Sequence, residues 1–202
     1  MVELIPESKK ILNPNILDGE ISYYSNFLLK KTSDNLFNKL KKTIPWKQDI
    51  IKVFGKTYNQ PRLTSLHSTL KQNYSYSSIT MTPLKMTTDL FYLMSLIKEI
   101  NNTSFNTVLL NLYRDGSDSN GWHADNEKEL GKNPVIASLS FGESRYFHLK
   151  HRTKKDQRFK IKLEHGSLLI MSGPMQHNWL HMIPKTKKKL DERINLTFRK
   201  LV

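Results

Sequence analysis

The chain has 202 residues, of which 38% are hydrophobic and 25% charged, a composition typical of one folded domain with its own core. No stretch approaches the roughly eighteen uninterrupted apolar residues of a membrane span, and the absence of cysteine excludes disulfides and thiolate metal sites. The 32 Lys and Arg residues against 18 Asp and Glu give a net charge of +14, which favours a polyanionic partner such as nucleic acid. The first residues lack the apolar run of a secretory signal, so we expect an intracellular protein.

Two helices are predicted before residue 105. In residues 25–45 apolar side chains recur at helical spacing, with Thr32, Ser33 or Asp34 available as a cap and Pro45 ending the run. A second helix is predicted in residues 87–102, with Thr87 or Thr88 at its start. The predicted apolar faces comprise Phe27, Leu28, Leu36, Leu40 and Ile44 in the first helix, and Leu90, Phe91, Met94, Ile97 and Ile100 in the second.

From residue 105 the pattern changes to short β-rich segments separated by Gly, Pro and Asn. Helices followed by many short strands predict an α+β fold in which the helices pack on one face of a β-sandwich or jelly roll. No repeat or linker interrupts the chain, so we expect a single domain. The predicted strands are 105–113, 135–142, 144–150, 158–165, 166–172 and 192–200.

A candidate metal site lies just beyond the turn-rich DGSDSNG. His123, Asp125 and Glu127 stand at alternate positions there, and alternate side chains of an extended strand point the same way. Two histidines and one carboxylate, with open positions left on the metal, are the ligands of non-haem Fe(II) that activates O₂. The second histidine must come from elsewhere, and spacing alone leaves His177 and His181 open. Of the others, His148 and His151 fall in a basic run typical of solvated surface, His165 lies beside a turn glycine, and His67 has no distinguishing feature.

The last strand carries a second polar pattern. Arg193, Asn195, Thr197 and Arg199 alternate with apolar residues and therefore share one face of the strand. Two guanidiniums with an amide and a hydroxyl between them suit a small dianion with two carboxylates. The alternative is an amphipathic strand at the surface.

Together these motifs resemble the AlkB family of Fe(II)- and 2-oxoglutarate-dependent dioxygenases, and most of all its eukaryotic nuclear branch that repairs alkylated DNA. The resemblance covers residues 50–202 and consists of NLYRDG at 111–116, H-x-D at 123–125, SLSFG, HGSLL, His181 and RINLTFR at 193–199. It implies a double-stranded β-helix of the jelly-roll type. It also implies an enzyme with Fe(II) as cofactor and 2-oxoglutarate as cosubstrate.

The resemblance assigns roles to individual residues. His123, Asp125 and His181 would hold the iron and be the catalytic centre, whereas His177 would not. Arg193 would bind the distal carboxylate of 2-oxoglutarate, and Arg199 would support its metal-side end. The further cosubstrate residues implied are Asn111, Tyr113, Asn195 and Thr197.

The activity implied is oxidative removal of N-alkyl groups from bases such as 1-methyladenine and 3-methylcytosine, with release of succinate, CO₂ and an aldehyde. The pairing edge of a base is inaccessible in the stack, so the nucleotide must be flipped out. Tyr74 and Tyr76 resemble the family's nucleotide-recognition lid and would stack on the extruded base. Phe54, before the turn residue Gly55, resembles a wedge that fills the gap left in the duplex.

Charged residues would complete the substrate contacts. Lys56 and Arg62 would hold backbone phosphate, and the lysines of residues 184–189 would clamp the opposite strand or lie in a solvated loop. Glu127 would face the pocket and bond an exocyclic amino group. The family more often carries two acids at this point, whereas this chain has Asn126 before Glu127.

The expected organisation is one domain, 1–202, with an N-terminal extension at 1–50, a lid and hairpin at 50–82, and a catalytic core at 105–202. We expect a monomer that acts on alkylated DNA, double-stranded by preference, in the nucleus or another DNA-containing compartment, without a membrane partner. Three alternatives remain: demethylation of RNA or single-stranded nucleic acid, oxygenation of a protein substrate, and an inactive jelly roll that binds nucleic acid.

Overall fold

Two β-sheets of unequal size dominate the structure, a computed structural model that describes residues 10–12, 16–53, 55–71, 74–76 and 79–202. In strand residues 10–12, 52–53, 74–76 and 79 the backbone alone is described. The helices are α1 (Lys30–Thr43), α2 (Thr88–Lys98) and α3 (Met175–Asn178), with one 3-10 turn at Lys128–Leu130. The strands are β1 (Lys10–Leu12), β2 (Glu20–Tyr24), β3 (Ile50–Val53), β4 (Lys56–Asn59), β5 (Leu63–Ser68), β6 (Tyr74–Tyr76), β7 (Ile79–Met81), β8 (Leu84–Lys85), β9 (Thr107–Tyr113), β10 (Asn120–His123), β11 (Ile136–Gly142), β12 (Arg145–His151), β13 (Arg158–Leu163), β14 (Ser167–Ser172), β15 (Trp179–Ile183) and β16 (Arg193–Arg199).

The larger sheet has eight strands in the order β1-β2-β14-β11-β16-β9-β5-β8, and the smaller has four in the order β10-β15-β12-β13. All pairs are antiparallel except β5 with β8. One face of the larger sheet packs on the smaller sheet through residues such as Leu109, Leu169, Leu149 and Trp179. Its other face packs on α1 and α2. The predicted α+β architecture with helices on one face of a jelly roll is confirmed.

Strand β16 is buried on both of its faces. Ile194, Leu196 and Phe198 point into the core beneath the helices. The alternate residues, including Arg193 and Arg199, line a cavity between the two sheets. The alternation read from the sequence is therefore correct, and the alternative of a surface strand is wrong.

Helix α1 begins earlier than predicted. Leu29 occupies the N-cap position without a side-chain hydrogen bond, so the expected capping by Thr32, Ser33 or Asp34 is wrong. The helix ends at Thr43, two residues before Pro45, as the sequence predicted.

Helix α2 has the predicted start and a different buried face. The hydroxyl of Thr87 accepts a hydrogen bond from the Leu90 backbone N–H at 3.3 Å, which confirms it as the N-cap. Phe91 is 50% exposed, so its assignment to the core face is wrong, and Leu93 is buried in its place. The buried residues are Leu90, Leu93 and Ile97, which are spaced three and four positions apart and therefore lie on one side of the helix.

The N-terminal half contributes directly to the core. Strand β2 pairs with β14, and α1 supplies Leu36 and Leu40, so the segment predicted as an extension is part of the fold. Strand β5, within the range predicted as lid and hairpin, pairs with β9 in the larger sheet. None of the helices in the described part of the chain is long and apolar enough to cross a bilayer.

His151 corrects another expectation, since it is buried rather than solvated. Its ring packs edge-on against Trp179 with centroids 5.1 Å apart. Its Nδ1 accepts backbone hydrogen bonds from Thr153 at 3.2 Å and Lys154 at 3.0 Å. The residue therefore fixes the turn between β12 and β13.

Candidate active site

The structure brings together the three residues for which the sequence suggested a metal site. His123 ends β10, Asp125 follows two residues later, and His181 lies on β15 as the register partner of His123. Their candidate ligand atoms all lie within 4.8 Å of one another. His177 is exposed at the end of α3, where its Nε2 accepts a bond from the Asn133 N–H, so the fold itself separates the two candidate histidines.

Both histidines of the cluster are neutral at neutral pH. Nδ1 of His123 lies 2.7 Å from the Gly121 carbonyl oxygen, which can only accept, so Nδ1 carries the proton and Nε2 keeps its lone pair. Burial lowers the pKa of His123. Burial, with the neighbouring His123 next in effect, lowers the pKa of His181 to about 3. Neutral imidazoles are the form that binds a metal ion.

Asp125 is ionised and fixed in place. Burial opposes its ionisation, but the Arg199 guanidinium and the two histidines outweigh that effect and lower its pKa to about 2. Arg199 Nη2 donates to Asp125 Oδ1 at 2.7 Å, while Oδ2 faces His181 with 3.9 Å between Oδ2 and Nε2. The backbone N–H of Asp125 donates to Gln176 Oε1 at 2.9 Å.

A metal ion fits this donor set. One carboxylate and two neutral imidazoles converge on one point, and the cluster supplies no thiolate. Nδ1 of His181 is buried and has no hydrogen-bond partner among the described residues. The arrangement matches the two-histidine, one-carboxylate face on which Fe(II) keeps open coordination positions.

The cavity beside the cluster is polar on one wall and apolar on the other. Its apolar wall includes Leu109, Phe147 and Ile183. Its polar wall is contributed by strands β9, β11 and β16 of the larger sheet. The residues of this wall are Asn111, Tyr113, Ser138, Arg193, Asn195, Thr197 and Arg199, and Asn120 of β10 adds a further polar side chain to the cavity.

Arg193 has unused hydrogen-bonding capacity inside this cavity. Its Nη2 donates to Ser140 Oγ at 2.9 Å, and its guanidinium lies 5.1 Å from the centre of the Tyr113 ring. Nε and Nη1 are buried without a hydrogen-bond partner in the described part of the chain. Burial lowers the pKa of Arg193 to about 10, so the group stays charged at neutral pH. A carboxylate would satisfy both the charge and the free N–H groups.

Asn195 and Thr197 stabilise the floor of the cavity. Asn195 Nδ2 donates to Ser138 Oγ at 2.8 Å and to the Leu139 carbonyl at 3.1 Å. Asn195 Oδ1 accepts from Thr197 Oγ1 at 3.1 Å. Because these bonds occupy the amide, the two residues fit a positioning role for β16 better than direct capture of a ligand.

Arg62 corrects the predicted phosphate contact. It is 3% exposed, its Nε donates to Asn111 Oδ1 at 2.7 Å, and its Nη1 donates to the Ser119 carbonyl at 3.1 Å. A buried guanidinium held in this way is not available to a phosphate at the surface. Its bond to the Asn111 oxygen instead fixes the orientation of an amide that lines the cavity.

Of the remaining predicted substrate residues, those whose side chains the structure describes do not line the cavity. Gly55 has a φ of 78° at the turn of the β3–β4 hairpin, where only glycine adopts the conformation readily, and Lys56 is exposed on β4. Phe54 lies outside the described residues, and Tyr74 and Tyr76 are placed on β6 by backbone alone. Asn126 is exposed and Glu127 half-buried, and neither is part of the cavity wall.

Sequence reasoning missed four residues around the site. Ser138 and Ser140 face Asn195 and Arg193, and their alternation within SLSFG was a usable signal. Asn120 contacts His123, with 3.1 Å between its Nδ2 and the ring Nε2. Gln176 gave no signal, because only the packing of α3 brings it to Asp125, fifty-one residues away in sequence.

Gln176→Met is expected to weaken Fe(II) binding by about 10- to 100-fold, as removal of an outer-shell partner of a metal ligand commonly does. The exchange nearly preserves volume and removes the acceptor of the Asp125 N–H, together with the weak bond from Gln176 Nε2 to Met171 Sδ at 3.7 Å. Anaerobic titration with Fe(II) measures the effect. Gln60→Met, the same exchange at a buried glutamine outside the cluster, is expected to leave the affinity unchanged. Equal affinities for the two variants would contradict the role of Gln176.

Comparison with known proteins defines the class. The family model of the 2OG-Fe(II) oxygenase superfamily matches residues 20–199, and the chain belongs to this superfamily. Among curated proteins, it is 42% identical over 182 residues to alpha-ketoglutarate-dependent dioxygenase alkB homolog 3 of Bos taurus, covering 86% of this chain and 63% of that protein. It is 33% identical over 189 residues to DNA oxidative demethylase ALKBH2 of Mus musculus, covering 89% of this chain and 79% of that protein.

Within the superfamily, these similarities place the chain in the AlkB family. The chain spans 63% to 66% of the length of the AlkB homolog 3 proteins that it matches. The solved structure of OsALKBH1 has the same fold, with a TM-score of 0.66 at 17% identity over 94% of this chain and 99% of that one. Fe(II), the cofactor of the family, fits the cluster of His123, Asp125 and His181. The cosubstrate 2-oxoglutarate fits the polar wall of the cavity, which contains Arg193.

Proposed function

We propose that this protein is an Fe(II)- and 2-oxoglutarate-dependent oxygenase that removes N-linked alkyl groups from nucleic-acid bases. One observation carries the proposal: the cluster of His123, Asp125 and His181 opens into the same buried cavity as a charged, incompletely bonded Arg193. A metal face and a carboxylate anchor in one water-poor cavity are what this reaction class requires.

The cluster residues and the arginines have different roles in this proposal. His123, Asp125 and His181 would hold iron, which when bound supplies the oxidation of a C–H bond with O₂ and 2-oxoglutarate. Arg193 would bind the distal carboxylate of 2-oxoglutarate, and Arg199 holds Asp125 ionised and correctly turned. Tyr113, stacked against Arg193, keeps water away from that guanidinium.

The substrate we propose is a methylated base flipped out of DNA, such as 1-methyladenine or 3-methylcytosine. Hydroxylation of the N-methyl carbon gives a hemiaminal, whose C–N bond breaks to release formaldehyde while the hydroxyl proton returns to the base nitrogen. The net charge of +14 supports a polyanionic substrate. Relatives named as DNA oxidative demethylases support the same class.

The surroundings of the site offer substrate contacts. Tyr74 and Tyr76 on β6 would stack on the flipped base, and Glu127, next to Asn126, would attract a cationic methylated base. Lys56 and the exposed lysines of residues 184–189 would contact phosphates. For such a substrate we expect the protein to act in the nucleus or another DNA-containing compartment, and to act as a monomer.

A panel of methylated oligonucleotides tests the proposal. With Fe(II), O₂ and 2-oxoglutarate, a methylated duplex is expected to lose the mass of one CH₂ per lesion, with one succinate formed per methyl removed. Single-stranded DNA and RNA carrying the same lesion form the other arms. If succinate forms but none of the three oligonucleotides loses its methyl group, the proposed substrate class is contradicted.

Phe54→Ala is expected to reduce repair of duplex DNA by about tenfold or more and to affect single strands little, because unstacking a base step costs a few kcal/mol that a wedge offsets. Rates on matched single- and double-stranded oligonucleotides measure the difference. Phe91→Ala, at an exposed phenylalanine of α2, is the control and is expected to change neither rate. A uniform loss on both substrates for Phe54→Ala would contradict the wedge.

A further inference from the structure

The smaller sheet has a solvent-facing side that takes no part in the site. Along β12, β13 and β15, buried residues such as Leu149, Leu163 and His181 alternate with residues that point outward. We call the outward set the outer face. It consists of Trp122 on β10, Leu180 and Met182 on β15, Tyr146, His148 and Lys150 on β12, and Arg158, Lys160 and Lys162 on β13.

The outer face carries one sign of charge. The four strands read NGWH, WLHMI, RYFHLKH and RFKIKL and contain neither Asp nor Glu. The register sets Lys150 directly opposite Arg158, and His148 opposite Lys160. Like charges in directly opposed positions destabilise a sheet, so the pair of Lys150 and Arg158 is best stabilised by an anion laid across the strands.

Two aromatic rings lie among these cations. Trp122 is 38% exposed and Tyr146 is 49% exposed, whereas the other aromatic rings of the sheet are buried or half-buried. Lys150 Nζ lies 4.4 Å from the centre of the Trp122 ring, and Lys160 Nζ lies 5.3 Å from that of Tyr146. Each ring is thus held in place by an ammonium group while leaving a face toward solvent.

Alternating cations and exposed rings on a sheet are the means by which proteins bind single-stranded nucleic acid without reading its sequence. The cations track phosphates, and the rings stack on bases. Across four strands the outer face measures about 14 Å, at about 4.8 Å per strand spacing, which accommodates a few stacked bases.

We propose that the outer face binds a single-stranded stretch of the nucleic acid whose damaged base occupies the active site. Strand β10 is an edge strand and joins the two sites, because Trp122 points outward and the next residue, His123, points to the cavity. A strand leaving the active site needs only to pass over this edge to reach the outer face. The identity of the bound strand rests on the proposed function, whereas the binding itself is tested without catalysis.

The first experiment compares two double charge reversals in the full chain. Lys160→Glu with Lys162→Glu changes the outer face, and Lys31→Glu with Lys42→Glu makes the same charge change at exposed positions of α1, on the opposite side of the larger sheet. Fluorescence anisotropy with an unmodified oligo-dT measures binding. The outer-face variant is expected to bind about tenfold more weakly, with a salt slope smaller by about 1.4, or about 0.7 per lost phosphate contact on a single strand.

Equal losses in both double variants would overturn the proposal, because they would show that only net charge matters. No loss in the outer-face variant would overturn it as well. Binding of a poly-glutamate peptide that equals oligo-dT binding, and falls in the same variant, would assign the face to an acidic protein partner instead.

The second experiment isolates stacking. Tyr146→Ala is expected to weaken oligo-dT binding by about fivefold or more, the lower end of what one base–aromatic contact contributes, and to leave binding of inorganic polyphosphate unchanged. Equal loss with both probes would contradict stacking on this ring. Succinate release by the unaltered protein tests the proposed function separately, so its failure leaves the binding result standing.

Discussion

Asp125→Asn is expected to abolish succinate release, with a loss well beyond the roughly 10- to 100-fold that removal of an outer-shell partner of a metal ligand costs. The amide keeps the shape of the side chain and one acceptor for Arg199, but it removes the negative charge that faces the two imidazoles. Fe(II) should then bind weakly. Anaerobic titration and succinate release measure the two consequences independently.

Asparagine is a better replacement for Asp125 than alanine, because alanine would remove the oxygen that accepts a hydrogen bond from the buried Arg199. Loss of one partner of a buried ion pair costs about 3–5 kcal/mol, and that loss would be mistaken for a catalytic effect. Circular dichroism should show Asp125→Asn folded.

Asp118→Asn is the matched control for this variant. Asp118 is also a buried aspartate paired with an arginine, since its Oδ2 accepts from Arg114 Nε at 2.8 Å. It does not belong to the metal cluster. We expect it to lose some stability and to keep metal binding. Unaltered succinate release by Asp125→Asn would refute the metal assignment.

Only part of the candidate metal site can be predicted from local sequence patterns. Alternation in RINLTFR correctly predicted which side chains share a face, because the period of a strand is fixed by its backbone. The same argument does not hold for His123, Asp125 and Glu127, because β10 ends at His123 and the other two residues follow outside the strand. The choice between His177 and His181 was different in kind. It depends on β10 and β15 pairing so that His123 meets His181, and a contact between distant segments is not encoded in local spacing.

The errors have the same origin. The position of Arg62 just after the predicted hairpin favours a phosphate contact, yet the fold buries its guanidinium against Asn111 and the Ser119 carbonyl. Helical spacing predicts Phe91 on the core face with Leu90 and Met94, whereas α2 buries Leu93 instead. Residue type and spacing predict whether a side chain tends to be buried or exposed. The packing of elements that are distant in sequence determines whether it is actually buried.

Arg193→Met is expected to raise the KM for 2-oxoglutarate by about 10- to 100-fold, since a hydrogen bond to a charged group contributes about 1.5–3 kcal/mol. The same variant should be as stable as the unaltered protein without 2-oxoglutarate, or more stable. Burial lowers the pKa of Arg193 to about 10, a shift that corresponds to a cost of roughly 3 kcal/mol on the charged form.

The sign of this cost follows from the direction of the shift. The folded-state pKa is below the unfolded value, so the destabilisation is fully present at neutral pH and is relieved only as the pH rises above about 10, toward the unfolded-state pKa. Methionine removes the charge and fills similar space. Thermal unfolding with and without 2-oxoglutarate should therefore show a higher baseline Tm for the variant and no further increase on adding the ligand.

Arg145→Met provides the contrast that makes this prediction specific. Arg145 is also buried and also lies against Tyr113, but its guanidinium donates to the carbonyls of Asp115, Asp118 and Pro184. Removing it leaves those carbonyls without their donor, and we expect a loss of about 2–4 kcal/mol in the free energy of unfolding. Two buried arginines that both lie against Tyr113 should thus respond with opposite sign. If Arg193→Met were destabilised as much as Arg145→Met, Arg193 would be a structural residue and the carboxylate anchor would have to lie elsewhere.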